Sequence, residues 1–186
     1  MINRKEALSL LDRYIKNKDV LRHLLAVEAI MKEIAKKLGE DQYLWGITGL
    51  LHDLDYSFTE DDPAGHSIMT AKILKGLIPE KSINAIKSHN YKHTDSLPIE
   101  IIDKALNASD IAAKIIFEIK NKINDDMTAE NIYLHFKKDI NIEDKKRRKL
   151  EYCEDIGIPV KEFLTLSIRA IDSSTVNIDE IELSSH

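Results

Sequence analysis

Apolar residues recur every three or four positions along most of this chain, and this spacing constrains the fold more than any other feature. A three-four spacing gives a helix one apolar face, and 6 glycines and 4 prolines in 186 residues suit a helical chain. The spacing is clearest over residues 19–38, just before a natural helix-ending glycine, Gly39. Its apolar positions are Val20, Leu21, Leu24, Val27, Ile30, Met31, Ile34 and Leu38. We therefore predict an all-α fold.

The same signals predict the other helices. Asn3 is a typical N-cap for a first helix that continues to Ile15. An Asp-Pro pair at Asp62-Pro63 predicts a helix start after a polar loop at 55–65, and Gly46 and Gly49 predict close packing of a helix on its neighbour. Further helices are predicted at 41–53, from the end of that polar loop to about 77, and at 79–89, 98–123, 128–138, 142–155 and 160–171, with a loop at 90–97. The length suits one domain with a substantial core, followed by a flexible tail at 173–186.

Charge and composition narrow the function. The net charge of -5 argues against non-specific nucleic-acid binding. Acidic neighbours compensate the basic run 145–149, which we interpret mainly as a solvated helix face. The chain has no signal-peptide pattern and no apolar run of membrane-spanning length, so we predict a cytoplasmic protein without membrane contact. The single cysteine, Cys153, lies among acidic residues and is predicted to be a structural thiol.

Histidines and aspartates occur at positions that should face inward. His23 shares a helical stripe with apolar residues, and His52-Asp53 ends an apolar helix. Asp110 lies among small apolar residues, where an unpaired carboxylate costs several kcal/mol. Imidazole and carboxylate are ligands of divalent cations, so the set predicts a metal site. Each position also has an alternative role of its own. His23 could be a core histidine, His52-Asp53 a helix-capping pair and Asp110 a salt-bridged aspartate.

His66 and His89 lie at the ends of predicted helical stripes and could converge on the same place. Each has an alternative role as a capping or core histidine. Lys92 and His93 follow His89 in a predicted loop and are our first choice for contacts to an anionic substrate. Asp55 follows His52-Asp53 and is a candidate for a supporting carboxylate or a general base, or for a turn residue that ends the helix.

The order His23, His52-Asp53, Asp110 resembles the H…HD…D signature of the HD-domain superfamily of metal-dependent phosphohydrolases. The segments 23–29, 45–56, 104–110, 153–158 and 162–164 are similar to a small bacterial and archaeal subgroup of predicted HD hydrolases. The resemblance covers nearly the whole chain. It implies a single HD-type helical bundle over 1–172, with a metal-binding core at about 19–120 and a C-terminal helical extension.

The resemblance also implies roles for the site residues. His23, His52, Asp53 and Asp110 would bind a first ion, while Asp53 and Asp110 would also serve catalysis. His66 and His89 match positions that hold a second ion in dinuclear members, with Asp53 as the bridge. The cofactor would be Mn, Fe, Co, Ni, Zn or Mg, with one or two ions per chain.

The implied activity is hydrolysis of a phosphomonoester or phosphodiester in a small phosphorylated substrate, for which a nucleotide-like molecule is one candidate. Tyr56 replaces a glutamate that some nucleotidase members use as a base, which weakens a nucleotidase assignment. Two alternatives stay open: a di-iron oxygenase, which some relatives are, and a non-enzymatic nucleotide or metabolite sensor. The oligomeric state is also open.

Overall fold

A computed structural model describes residues 1–122, 128–138 and 144–174. These ranges contain no β-strand, and one isolated bridge joins Lys75 to Ile78. The all-α prediction is therefore confirmed. The helices are α1 (Arg4–Tyr14), α2 (Lys18–Leu38), α3 (Gln42–Leu51), α4 (Tyr56–Thr59), α5 (Ile68–Leu74), α6 (Glu80–His89), α7 (Tyr91–Thr94), α8 (Ile101–Lys122), α9 (Ala129–Lys138), α10 (Asp144–Asp155) and α11 (Val160–Ser173).

Helix α2 lies at the centre of the bundle and packs on α3, α8 and α11. Helix α8 packs in turn on α6 and α10. Buried residues from α10 and α11, such as Cys153 and Phe163, join the same apolar core as those of α2 and α8. The C-terminal helices thus belong to the same packed unit. None of the helices in the described ranges is long and apolar enough to cross a membrane.

Polar side chains fix where the first helices begin. The Asn3 carboxamide accepts a hydrogen bond from the Glu6 amide, and the Glu6 carboxylate accepts one from the Asn3 amide, which completes a capping box. The Asp41 carboxylate likewise accepts from the Leu44 amide at the start of α3. Gly39 ends α2 in the left-handed conformation, with φ of 73°. These contacts confirm the predicted first two helices.

Several predicted boundaries were wrong. The Asp62-Pro63 pair does not start a helix, because Asp62 closes a turn by accepting from the Gly65 and His66 amides. Ser67 has φ of 71°, which interrupts a right-handed helix, so α5 begins only at residue 68. Short helices α4 and α7 lie within the predicted loops, and α3 ends at residue 51 rather than 53.

Helix α8 begins at residue 101 rather than 98, because the Asp103 carboxylate holds the Ile99 and Glu100 amides in a turn before it. The predicted positions 123, 142 and 143 lie outside the described residues, as does the predicted tail from residue 175 on.

Gly49 allows α3 to lie close to α2, as predicted. A Cβ atom at Gly49 would lie 2.9 Å from the Val27 carbonyl oxygen and 3.0 Å from Met31 Cγ. We expect Gly49→Ala to lower the free energy of unfolding by about 1–3 kcal/mol, because a helix backbone cannot easily move away. Gly46→Ala is the control, since its Cβ would meet only the flexible Lys32 side chain, at 2.5 Å from Cε. Equal losses for the two variants in urea denaturation would contradict this packing.

Cys153 is fully buried, in agreement with the predicted structural thiol. Burial, with a smaller contribution from Glu154, raises the pKa of this thiol from 9.0 to about 12. Because only the thiolate attacks, we expect iodoacetamide at about pH 8 to label the unfolded but not the folded protein. The unfolded thiol ionises near 9 while the folded thiol keeps its proton, so this group also destabilises the fold as pH rises from about 9 towards 12. Rapid labelling of the native protein, followed by mass spectrometry, would contradict both expectations.

Candidate metal centre

Three helices bring four buried ligand groups together. His23 comes from α2, His52 and Asp53 directly follow α3, and Asp110 comes from α8. One ligand atom of each residue lies within 4.8 Å of all the others. His23 Nε2 is 3.1 Å from Asp110 Oδ1, and His52 Nε2 is 3.4 Å from Asp53 Oδ2 and 3.7 Å from Asp110 Oδ1. Adjacent residues reach one point here because the helix has ended at Leu51.

Asp53 joins a second group with His66 and His89. Its Oδ1 atom is 3.3 Å from His66 Nε2 and 2.9 Å from His89 Nε2. The two imidazole nitrogens are 3.0 Å apart. His66 reaches this position from the turns before α5 rather than from the predicted helix, which corrects the stripe assumed from the sequence. The two groups share Asp53, and each of its carboxylate oxygens faces one of them.

Main-chain carbonyls fix the orientation of two imidazole rings. His52 Nδ1 donates to the Gly49 carbonyl oxygen at 2.8 Å, and His89 Nδ1 donates to the Ile86 carbonyl oxygen at 2.5 Å. A carbonyl oxygen only accepts, so Nδ1 carries a proton in each ring. The other nitrogen, Nε2, faces the cluster and can offer its lone pair to a cation once it has no proton. This arrangement is typical of metal-binding histidines.

Asp55 orients the third ring. This aspartate is fully buried, and its Oδ1 accepts from His66 Nδ1 at 2.9 Å. Its Oδ2 accepts from the Thr70 amide, and the Asp55 amide donates to Thr70 Oγ1. Both carboxylate oxygens are therefore engaged. Of the roles considered for Asp55, these contacts favour support of His66 over a general base.

Four buried site atoms have no hydrogen-bond partner among the residues that the structure describes: His23 Nε2, His52 Nε2, Asp53 Oδ1 and Asp110 Oδ1. Buried polar atoms without a partner are rare and costly. Imidazole nitrogen and carboxylate oxygen are both donors to divalent cations. The residues present therefore fit a bound metal ion, and this cluster could hold one.

Without a bound ion, the positive imidazoles and the negative carboxylates of the cluster stabilise each other. Burial opposes a charge on His52, but Asp53 and Asp110 together outweigh it and raise the pKa of His52 to about 10. Burial likewise opposes a charge on His66, while Asp53 and Asp55 raise its pKa to about 9. Burial prevails at His89 and lowers its pKa to about 4. The pKa of Asp53 lies well below its usual range because the effect of burial is outweighed by His52, His66 and His89 together. A cation that binds here near neutral pH must displace protons from His52 and His66.

Two lysines lie next to Asp110, so the salt bridge that the sequence left open as an alternative for this aspartate is present. Lys114 lies one turn later on α8, with Nζ at 2.6 Å from Asp110 Oδ1. The i,i+4 spacing on a helix could have revealed this pair. Lys149 is buried, donates from Nζ to the His89 carbonyl oxygen at 2.5 Å, and lies 3.8 Å from Asp110 Oδ2. The prediction of a solvated face for 145–149 is therefore wrong at Lys149, although Lys146 and Arg148 are exposed.

A cavity of about 350 Å³ leads from the cluster to the surface. Lys92 and His93 do not line it and are exposed on α7, and their contact with substrate stays a prediction. The cavity is lined by Asn17, Asp19, Val20, His23, Asp53, Tyr56, Lys114 and Phe117.

Comparison with known proteins gives one match. The HD domain family matches residues 20–161, which is well over half of the chain and includes every residue of the two groups. No curated protein and no solved structure matched the chain. The matched range contains His23, His52-Asp53 and Asp110 in the H…HD…D order. The chain belongs to the HD domain family.

Proposed function

We propose that this protein is a metal-dependent hydrolase that acts on the phosphate ester of a small molecule. One observation carries the proposal: four buried ligand atoms of His23, His52, Asp53 and Asp110, none with a hydrogen-bond partner, converge beside a surface cavity that His23 and Asp53 line. Membership of the HD domain family supports the same reaction class. The net charge of -5 favours a small substrate over a nucleic acid.

The first group would hold one ion, and His66, His89 and the shared Asp53 would hold a second. When bound, such an ion activates water and neutralises charge on phosphoryl oxygens. Mn, Fe, Co, Ni, Zn and Mg all accept these ligand types. The contacts made by Asp53 to both groups make this residue the natural bridge of a two-ion centre.

The chain's own residues would hold the reacting groups in place. The carbonyls behind His52 and His89 and the carboxylate behind His66 fix the three imidazole rings before substrate arrives. Asp110, fully buried and facing both His23 and His52, would orient the attacking water. Preorganised polar groups of this kind stabilise developing charge without rearrangement during the reaction.

A screen of phosphomonoesters and phosphodiesters, including nucleotides, tests this proposal. We expect hydrolysis by the purified protein, detected as phosphate from a monoester or as a monoester from a diester, that a chelator abolishes and a divalent cation restores. His52→Ala should abolish the activity while the helical circular dichroism signal is kept. A metal-loaded protein that hydrolyses none of the monoesters or diesters would contradict the proposal.

A di-iron oxygenase is the second candidate, and the second group of Asp53, His66 and His89 is the observation that favours it. Stoichiometric iron with oxygen-dependent turnover would support it. A protein that binds nucleotides or metabolites without turnover would instead be a sensor.

A further inference from the structure

We propose that Lys114 is a substrate-binding residue that anchors the phosphoryl group of a phosphomonoester beside the metal centre. This inference rests on the proposed function and names the residue that recognises the substrate. The sequence predicted anion contacts at Lys92 and His93, which lie on the exposed helix α7. The present inference instead places the anion-binding group in the cavity beside the cluster.

Lys114 combines contact with the cluster and access to solvent. Its Nζ is 2.6 Å from Asp110 Oδ1, yet its side chain is 49% exposed, whereas that of Asp110 is 2% exposed. Among the described residues that line the cavity, Lys114 is the one lysine or arginine. An anion that enters the cavity therefore meets this ammonium group next to the carboxylates.

Lys114 contacts Asp110 Oδ1, which is also an atom that would bind the proposed ion. Asp110 Oδ1 faces His23 Nε2 and His52 Nε2, so it belongs to the first metal group. A cation on this oxygen would repel the ammonium group of Lys114. The lysine side chain is long and flexible, and the cavity that it lines offers it room. There it would bind the charge of the substrate instead of the charge of Asp110.

Lys149, the other lysine near Asp110, differs from Lys114 in its burial and in its contacts. Its side chain is 7% exposed, its Nζ donates to the His89 carbonyl oxygen, and it does not line the cavity. Lys149 is thus a fixed internal contact of the cluster. Of the two lysines, Lys114 is the one whose ammonium group is exposed enough to exchange Asp110 for another anion.

The other walls of the cavity indicate what is attached to the phosphoryl group. Val20 and Phe117 form an apolar part of the cavity wall, while Asn17 and Asp19 contribute polar groups to it. A volume of about 350 Å³ is near the lower end of the range for small-molecule sites. The substrate class is therefore a small phosphomonoester whose attached group has both an apolar and a polar part.

Binding of inorganic phosphate to the metal-loaded protein tests this inference without turnover. We expect Lys114→Met to weaken phosphate binding about 10- to 100-fold, as for the loss of a charged hydrogen bond. The variant should bind metal at least as tightly as the wild type, because a competing cation has gone. Lys114→Arg should recover part of the phosphate affinity. Titration calorimetry with phosphate and with the metal measures both properties.

Lys120→Met is the matched control. Lys120 is an exposed lysine of the same helix, and it lines a neighbouring groove rather than this cavity. Its loss should leave phosphate binding unchanged. An equal effect of the two methionine variants would show a general charge effect and overturn the inference.

The inference and the proposed function fail in different ways. If the wild type binds no metal, the proposed function fails. If the wild type binds metal and phosphate, and Lys114→Met binds both as the wild type does, only the inference is overturned. Loss of metal in Lys114→Met would make the lysine a structural partner of Asp110 and would also overturn it. Should Lys114→Met not fold, Lys114→Gln is measured in the same way.

Discussion

Replacement of Asp53 by asparagine is expected to remove the bound metal and to lower phosphate release by about 10³-fold, a loss of about 4 kcal/mol in transition-state stabilisation. Asp53 contacts His52 through one carboxylate oxygen and His66 and His89 through the other. A neutral amide keeps the side-chain volume but lacks the charge that both groups share. Metal content per chain and the rate of phosphate release measure the effect.

The matched control is Asp61→Asn, because Asp61 is exposed in the loop after α4. This variant should keep wild-type metal content and activity. A thermal melt of both variants separates loss of metal from loss of the fold. If Asp53→Asn is folded and keeps its full metal content, Asp53 is not a ligand and the two-ion arrangement is wrong.

Replacement of Lys149 by methionine is expected to lower the free energy of unfolding by about 3 kcal/mol, the size typical of breaking a buried charge pair. The ammonium group of Lys149 joins α10 to the end of α6 through the His89 carbonyl oxygen. It also lies 3.8 Å from Asp110 on α8. Methionine keeps most of the apolar stem but leaves that carbonyl without its donor. Urea denaturation in the presence of a chelator measures the loss without any contribution from bound metal.

Lys146→Met on the same helix serves as the control, since Lys146 is exposed. Surface substitutions of this kind usually change stability by less than about 0.5 kcal/mol. Similar losses for the two variants would mean that Lys149 does not connect the C-terminal helices to the metal centre. The expected difference comes from burial and from the partner atoms, since the two lysines lie three residues apart.

The sequence predicts much of the fold because periodicity and capping are local. The apolar stripe of α2, the Asn3 capping box and the left-handed Gly39 are all properties of short segments. The same holds for the site residues on regular helices, and His23 and Asp110 face inward as their stripes indicate. Their role as ligands is the proposal above.

The features that the sequence did not predict depend on contacts between distant segments. The Asp62-Pro63 pair has the composition of a helix start, but the turn that Asp62 closes and the backbone of Ser67 place His66 outside any helix. Lys149 lies in a run with acidic neighbours, so local charge suggests solvent. Its burial follows from the packing of α10 on α8. The role of Asp55 could be narrowed only once His66 and Thr70 were seen at its two carboxylate oxygens.

The metal content of protein purified without a metal-affinity step tests the central claim most directly. Elemental analysis should find about one or two divalent ions per chain, matching the two ligand groups that share Asp53. These ions should be lost on chelation, regained on dialysis against Mn, Fe or Zn, and absent from His52→Ala. A folded wild-type protein that takes up none of the divalent metals would contradict the account, because four buried ligand atoms would then remain without a hydrogen-bond partner.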